Sequence, residues 1–577
     1  MASLIVLQAP PTNLPARGLW VRLRAGFFLH MVVTTHIVAT TFARDIWRSS
    51  YNLVGSRGVP MSSLLLRCGA NVFVAWVLSV SLTGNAATEL RPDCRGVHCG
   101  AHELGFTGRG PGIWTYRNDG AQAEHLKISL SGLHRNTVTL VLTNAGTQPQ
   151  AMPKGLRDHA PGTLPDAPFI PNLVDPLPGP AATTLITGQS RIWQVPQVGR
   201  SNVTAVPRPT RASVRAQARI DGFRYRIWVA DEAWTPHMQR QLPLLAGLLF
   251  GTPGYDGIID QYITDFGIQP WGPRPASADN DGLIPAEIRD IDIVIAPNGA
   301  GNIQFFDNAQ LRRKPTSNEA LALFIGSDGL ACTQGNEALC VNLASREIVF
   351  ALANNLLHEL THLVHYYYRA VRPGEARRYE TWLEESVSSA HGYIVAMSRF
   401  PHTPVQMTEF LPWFGGKYVC SLTSIDGSPG TSLTGPCVQN YYHGGQAFIV
   451  FLAHEYGTRI FRALLNAHGR GADALDEAIR ACGGAGFADA FRRWGSLLAI
   501  LHGPMPAGYA IPAVRVGSHV VPAFDATKFA PFRKLPAPIP DAIGPYSHLP
   551  IMDGQHSGDY RRELDIAPGV AITLYAQ

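Results

Sequence analysis

The chain has 577 residues, enough for two or three domains and at least one large hydrophobic core. Hydrophobic residues make up 46% of it and charged residues 16%, which is typical of a folded extracytoplasmic protein rich in glycine and proline. The net charge of +5 belongs to the start of the chain, because residues 1–60 contribute +5, residues 61–86 contribute +1 and the remainder sums to −1. Net charge therefore gives no support for binding to nucleic acid or to an anionic membrane.

The first predicted element is a secretory signal at residues 61–86. Arg67 precedes the apolar run VFVAWVLSVSL, and Gly84-Asn85-Ala86 then places small residues at the −3 and −1 positions of a cleavage site. The apolar run is shorter than the roughly 20 residues that a membrane-spanning helix needs. Met61 is therefore the expected start, and residues 1–60 are interpreted as an overrun upstream of it or as an extended leader.

Cysteine placement also predicts export. Six cysteines form close sequential pairs in loop-like stretches, namely Cys94/Cys99, Cys332/Cys340 and Cys420/Cys437. Such pairs are typical of local disulfides in an oxidising compartment, so we expect a secreted or periplasmic protein. Sequential pairing is a hypothesis, since connectivity does not follow from sequence. Cys482, on a predicted helix, is expected to be a buried free thiol.

Residues 87–224 predict an all-β N-terminal domain, which could serve as a propeptide or as a packing module. Leu126, Ile128 and Leu130 alternate with polar residues, and a second alternating stretch follows a short turn, at Val138, Leu140 and Leu142. A proline-rich connection is expected at 147–181. Further short strands are predicted at 190–195, 211–220 and 224–230.

Residues 225–505 predict a mixed domain of short strands and helices. Alternation predicts strands at 290–296 and 321–325. Apolar periodicity and glycine punctuation predict helices at 237–250, 347–368, from about 379 onward, 441–456, 458–468, 472–482 and 486–502. The tail, 506–577, is proline-rich and ends in a β-like stretch at 571–575.

The central motif is His358-Glu359-Leu360-Thr361-His362, an H-E-x-x-H on the long predicted helix. Residues four apart lie on one helical face, so both imidazoles can point at one metal ion while Glu359 reaches a water bound to it. A catalytic zinc needs a third protein ligand and an open fourth position. His365 lies about 10 Å along the helix from His358 at about 1.5 Å per residue, so we expect it to pack or to support a ligand.

The better candidates for the third ligand are the carboxylates in Thr381-Trp382-Leu383-Glu384-Glu385 on the next helix. H-E-x-x-H followed about 20 residues later by W-L-x-E resembles the glutamate-zincins (gluzincins), distantly the M1 aminopeptidases and more closely the hyicolysin-like M30 peptidases. The resemblance implies that Glu385, in the position of the last residue of W-L-N-E, is the ligand. Glu384 replaces the asparagine of that pattern and could compete with it.

A further segment, Tyr441-Tyr442-His443-Gly444-Gly445, is similar to the Y-x-x-G segment of the M1 group. The resemblance implies that Tyr442 donates a hydrogen bond to the developing oxyanion, with Tyr441 as the alternative. No segment matches the G-x-M-E-N type signature of the exopeptidases, so we expect an endopeptidase. The substrate peptide is expected to pair with a sheet edge formed by 290–296 or by 302–306.

Together these features predict an α+β protein, with a thermolysin-like catalytic domain made of a small sheet and a mostly helical subdomain. The expected function is that of a secreted zinc endopeptidase with one Zn²⁺ held by His358, His362 and Glu385. Glu359 is the expected general base, and the substrate is a protein or a peptide. No nucleic-acid partner and no membrane span after signal removal are expected. The alternatives left open are a weakly active or inactive adhesin on this scaffold, and a zinc hydrolase of non-peptide bonds.

Overall fold

The computed structural model describes residues 89–156, 188–197, 205–277, 280, 282–297, 304–307, 317–332, 340–401, 405–424, 437, 439–500, 503–536 and 539–577. The expected leader (1–60), the signal segment (61–86) and residues 157–181 of the proline-rich connection lie outside the described residues. Residues 88–577 belong to one compact unit.

The described strands range from two to 21 residues in length. They are β1 (Arg91–Pro92), β2 (Ala101–His102), β3 (Gly105–Phe106), β4 (Gly112–Arg117), β5 (Glu124–Asn144), β6 (Gln150–Ala151), β7 (Ser190–Gln197), β8 (Ala205–Ile220), β9 (Phe223–Ala230), β10 (Gly251–Thr252), β11 (Tyr255–Asp256), β12 (Asp290–Ala296), β13 (Gln304–Asp307), β14 (Leu321–Gly326), β15 (Val514–Val516), β16 (His519–Val521), β17 (Ala542–Ile543), β18 (Ser547–Ile566) and β19 (Val570–Ala576).

The described helices concentrate in the middle of the chain. They are α1 (Pro236–Phe250), α2 (Ile258–Phe266), α3 (Asp328–Ala331), α4 (Arg346–Tyr366), α5 (Thr381–Arg399), α6 (Val405–Phe414), α7 (Gln446–Tyr456), α8 (Arg459–Asn466), α9 (Ala472–Ala481) and α10 (Phe487–Ser496). Two π-helical turns, at Tyr367–Val371 and at Tyr441–Gly445, adjoin α4 and α7. The mixed α+β class that the sequence predicts is confirmed.

One sheet, called here the terminal sheet, joins the two ends of the described chain. It contains β1 to β5 together with β18 and β19, and β5 lies between β18 and β19, antiparallel to both. The apolar residues of β5 that alternate in the sequence, Leu126, Ile128 and Leu130, are buried in its core. The N-terminal strands are therefore completed by strands from the tail, of which the sequence pattern had indicated only the last.

The prediction of a turn between two strands of this region is wrong. The backbone runs on as the single strand β5, which pairs with β18 along its whole length. Register shifts opposite residues 130–136 take up the irregularity, and Gly132 and Arg135 adopt positive φ there (78° and 59°). Bulges bend a strand without reversing it, so the stretch that reads as a turn is a bend in one long strand.

A second sheet, called here the central sheet, has the strand order β13-β14-β12-β9-β8-β7. β12 is parallel to both of its neighbours, β9 and β14. The proposal that 290–296 forms a substrate-pairing edge is therefore wrong, because both sides of β12 are already hydrogen-bonded. The edge strands of this sheet are β7 and β13, and β13 is antiparallel to β14 and close to α4. Strands on both sides of the boundary expected between residues 224 and 225 share this sheet.

α4 and α5 pack against each other as an antiparallel pair, and this pair positions the candidate site. α4 contains neither proline nor glycine, and its apolar residues, among them Leu356, Leu360 and Leu363, are buried. On α5, Gly392 permits the close approach, since a Cβ there would lie 2.4 Å from the carbonyl oxygen of Asn354. The register set by this contact brings residues 358–365 of α4 opposite residues 384–389 of α5.

The predicted cysteine pairing is confirmed. Disulfides join Cys94 to Cys99, Cys332 to Cys340 and Cys420 to Cys437, and Cys482 is a buried free cysteine. Among the helices of the described residues, none combines the length and the apolar character that crossing a membrane requires.

Candidate metal centre

Three side chains from α4 and α5 converge on one point. The Nε2 atoms of His358 and His362 lie 3.0 Å apart, and Oε2 of Glu385 lies 3.2 Å from the first and 3.7 Å from the second. All three side chains are largely but not completely buried, with exposures of 13%, 13% and 20%. The structure thus brings together the three residues that the sequence nominates as ligands.

The spacing of these atoms fits a single zinc ion. Ligand bonds of about 2.0–2.1 Å in a tetrahedral arrangement separate neighbouring ligand atoms by about 3.3 Å. The observed separations of 3.0, 3.2 and 3.7 Å bracket that value. Two imidazoles and a carboxylate are also the donor set of a catalytic zinc site that keeps its fourth position for water or substrate. The residues therefore fit zinc in both chemistry and geometry.

The outer nitrogens of both imidazoles have partners on α5. Nδ1 of His358 is 3.0 Å from Oγ of Ser389, and Nδ1 of His362 is 2.8 Å from Oε1 of Glu384 and 3.3 Å from Oγ of Ser388. A partner on the outer nitrogen fixes which nitrogen faces the metal. Glu384 and Ser388, four residues apart on α5, both face Nδ1 of His362. Ser389, which faces Nδ1 of His358, lies four residues after Glu385, whose carboxylate is near the Nε2 atoms of both imidazoles.

Glu384 lies on the outer side of His362, away from the three converging atoms. Its Oε1 also lies 2.9 Å from Nδ1 of His365, so one carboxylate oxygen joins two imidazoles. Burial raises the pKa of this carboxyl, but His365 and the hydrogen bonds from both histidines outweigh burial and hold the pKa at about 2. Glu384 thus faces the outer nitrogen of His362 while Glu385 faces the two Nε2 atoms, and His365 lies behind Glu384.

Glu359 follows His358 on α4 and is partly buried. Burial raises the pKa of its carboxyl to about 8, while His362 lowers that pKa and Glu385 raises it further. A dication at the site would oppose the rise, because it favours the ionised carboxylate. A carboxyl poised in this way can exchange a proton near neutral pH.

The segment Tyr441–Gly445 brings an aromatic hydroxyl to the same place. The hydroxyl of Tyr442 donates a hydrogen bond of 2.8 Å to Oε2 of Glu385. This approach depends on Gly445, where a Cβ would lie 2.1 Å from Oγ of Ser386. That serine donates to the carbonyl of Tyr441 and ties the segment to α5. Of the two candidate tyrosines, the structure brings the hydroxyl of Tyr442 to the converging ligand atoms.

The sequence reasoning missed the serines of α5 and the role of Glu384. Their signal was present, since Glu384, Glu385, Ser388 and Ser389 form two i, i+4 pairs on a helix that faces the motif. The spacing alone could not show which carboxylate faces the metal position and which faces the outer nitrogens, because adjacent residues on a helix point about 100° apart.

Comparison with known families gives two matches. A sequence model described as Peptidase M30 matches residues 206–577, and a domain of unknown function (DUF8571) matches residues 92–154. No curated protein matches the chain.

Two solved structures are similar to parts of the chain. One is an aminopeptidase N family protein from Idiomarina loihiensis, with 11% identity, a TM-score of 0.26, and coverage of 46% of this chain and 43% of that one. The other is an M1 zinc metallopeptidase mutant from Deinococcus radiodurans bound to a Tyr-Ser-Ala substrate, with 11% identity, a TM-score of 0.24, and coverage of 68% and 93%. The Peptidase M30 match covers the central sheet except β7, together with α4, α5 and the tail, and on that match this chain belongs to the Peptidase M30 family.

Proposed function

We propose that this chain is a secreted zinc endopeptidase whose metal is held by His358, His362 and Glu385. The observation that carries the proposal is the triangle of two Nε2 atoms and one carboxylate oxygen, with separations of 3.0 to 3.7 Å, beside Glu359. Membership of the Peptidase M30 family supports peptide-bond hydrolysis as the reaction.

Each ligand presents a lone pair to the site. For His362, a proton on Nδ1 is donated to Glu384, which leaves Nε2 unprotonated toward the converging atoms. For His358, Nδ1 faces the hydroxyl of Ser389, so the same tautomer is available. When bound, zinc would lower the pKa of a coordinated water toward about 7 and would polarise the scissile carbonyl.

Glu359 is the proposed general base. It takes a proton from the attacking water and passes it to the amine that leaves. Its partly buried position keeps bulk water from competing for that proton, and the pKa of its carboxyl, raised by burial, gives it affinity for the proton it must hold between the two steps.

Tyr442 is the proposed oxyanion donor. Burial first, and then the nearby Glu385 carboxylate, raise the pKa of its phenol, so the hydroxyl stays protonated and can donate at neutral pH. Its bond to Oε2 of Glu385 places the hydroxyl beside a ligand atom of the proposed site. In the proposed mechanism the same hydroxyl would donate to the carbonyl oxygen of the substrate, because a preorganised donor stabilises the negative charge of the transition state.

Secretion and endopeptidase specificity belong to the same proposal. Three disulfides support an oxidising compartment, in agreement with the predicted signal at 61–86. The edge strand β13 lies near α4, where an extended peptide could add to the sheet. The absence of an exopeptidase signature in the sequence supports cleavage within a chain.

The test compares the protein purified as residues 87–577 with its Glu359→Gln variant, for zinc content and casein hydrolysis. We expect one zinc per chain in both, and hydrolysis that a chelator abolishes and that falls by about 10²–10⁴-fold in the variant, the usual contribution of a general base. Zinc in both forms without hydrolysis by either would favour the adhesin alternative or a latent enzyme. No stoichiometric zinc would refute the site.

A further inference from the structure

The two proposed ligand histidines have different outer partners. Nδ1 of His358 faces a neutral hydroxyl, that of Ser389, at 3.0 Å. Nδ1 of His362 faces a carboxylate, that of Glu384, at 2.8 Å. The carboxylate in turn lies 2.9 Å from Nδ1 of His365, one turn further along α4. The site is therefore asymmetric, with a charged partner behind one ligand and a neutral partner behind the other.

His365 fixes the carboxylate in place. It is 3% exposed, with its ring against that of Tyr379 at a centroid distance of 5.1 Å, so its orientation is set by packing. Because Oε1 of Glu384 meets nitrogens on two successive turns of α4, the carboxylate is held at two points. Because the carboxylate is held in this way, it also restrains the imidazole of His362. That imidazole therefore loses less conformational freedom on binding an ion than an unrestrained imidazole would.

The charge of Glu384 is as important as its position. A dication held by two neutral imidazoles and one carboxylate keeps a net charge of +1, and in a largely buried site that charge is poorly solvated. Glu384 supplies a second negative charge through His362 without occupying a coordination position. A carboxylate partner also makes an imidazole a more basic ligand than a neutral partner does.

We propose that Glu384 and His365 form a positioning pair that orients His362 for the metal and raises the affinity of the site for Zn²⁺. This inference rests on the metal centre proposed above. It assigns a role to the carboxylate that replaces the asparagine of W-L-N-E, and to the one histidine of the motif helix that is not a ligand. Both residues would act through His362.

The test titrates Zn²⁺ alone into the metal-free protein against a competing chelator. Loss of an outer-shell partner typically weakens metal binding about 10–100-fold, and we expect this of Glu384→Gln. His365→Phe keeps an aromatic ring at this position but removes the nitrogen that meets Glu384, and it should weaken binding by less. Ser389→Ala is the matched change behind His358. It should weaken Zn²⁺ binding by less than Glu384→Gln does, because the hydroxyl that it removes is neutral. Glu375→Gln removes an equal charge from an exposed carboxylate between the same two helices and should have no effect.

Two further readouts separate positioning from a structural role. Thermal unfolding of the metal-free proteins shows whether a substitution destabilises the fold. If destabilisation is its only effect, the affinity of the folded protein for Zn²⁺ is unchanged. The absorption bands of the cobalt-substituted protein report ligand geometry, and they should shift in Glu384→Gln and His365→Phe but not in Glu375→Gln.

The outcomes are distinct. Wild-type affinity in both Glu384→Gln and His365→Phe would overturn the positioning pair while leaving the metal centre intact. Failure of the wild-type protein to bind Zn²⁺ would overturn the metal centre and the pair with it. If Glu384→Gln does not fold, His365→Phe decides, since unchanged affinity and unchanged cobalt bands in that variant would contradict the proposal.

Discussion

The metal centre and the terminal sheet differ in how far apart in sequence their contacting residues lie. Every proposed ligand and supporting residue on α4 and α5 falls between residues 358 and 389, and two helices in one register bring them together. In the terminal sheet, by contrast, Thr143 of β5 contacts His548 of β18, 405 residues further on. The proposed metal ligands are thus brought together by contacts that are short in sequence, and the sheet that joins the ends of the described chain by contacts that are long in sequence.

The difference explains which features the sequence predicts. Helical spacing places His358 and His362 on one face and makes a second carboxylate-bearing helix the natural partner. Nothing local marks β18, where the apolar residues Leu549, Ile551, Tyr560 and Leu564 are interrupted by glycines and bulges. β18 pairs with β5, which lies about 400 residues earlier, so a short stretch of sequence around β18 does not include its partner. In β5 the turn that the sequence predicts is wrong for a different reason, because Gly132 and Arg135 adopt positive φ in a bulged strand that does not reverse.

The terminal sheet also bears on the idea of a removable N-terminal propeptide. Release of residues 89–156 would withdraw β5 from between β18 and β19 and would expose their apolar faces. It would also break the ion pair of 2.7 Å between Asp93 and Arg492 of α10, and Arg492 is only 5% exposed. These contacts favour retention of the segment in the mature protein. Its removal as a propeptide stays a prediction, and these contacts argue against it.

The largest expected effect concerns stability and tests whether the two regions are one folding unit. Leu574 is fully buried in β19 between β4 and β5. Leu574→Ala should lower the free energy of unfolding by about 2–5 kcal/mol, from lost burial and the cavity left behind. Denaturant unfolding measures this, and Lys127→Ala on the exposed face should change stability by less than about 0.5 kcal/mol.

In that experiment a single transition should shift, and the folded fraction should keep its zinc. Two separate transitions, with only one moved by the substitution, would show that the terminal sheet folds independently of the helices.

The next largest expected effect is a loss of activity with no change in the stability of the fold. Tyr442→Phe should lower kcat by about 10²-fold, because one oxyanion donor typically contributes 10²–10³-fold, while zinc content is retained. The neighbouring Tyr441, whose ring lies 4.4 Å from that of Tyr442, provides the matched variant. Tyr441→Phe should keep most of the activity in a steady-state assay. The reverse pattern would transfer the role to Tyr441.

The smallest expected effect is on pH dependence and arises where the terminal sheet meets the helices. His548 is 1% exposed, accepts or donates through Nδ1 to Thr143, and packs against Phe491 of α10. Burial lowers the pKa of this imidazole from 6.5 to about 3. Its contribution to stability is therefore complete above pH 6.5 and is lost as the pH falls toward 3, because the unfolded chain binds a proton that the folded chain does not.

His548→Gln should make the fall in stability between pH 6.5 and 4 shallower, by up to about 1.4 kcal/mol per pH unit. Denaturant unfolding at several pH values measures the slope. His98→Gln, at an exposed histidine of the same chain, serves as the control for a histidine substitution outside the core. An unchanged slope in His548→Gln would show that this histidine is protonated in the folded protein.

The most direct test of the metal centre is anomalous diffraction at the zinc edge from crystals of the protein grown with stoichiometric zinc. The proposed metal centre predicts one strong anomalous peak within about 2.0–2.2 Å of Nε2 of His358, Nε2 of His362 and Oε2 of Glu385. A peak between Glu384 and His365, or zinc bound only elsewhere in the protein, would contradict it.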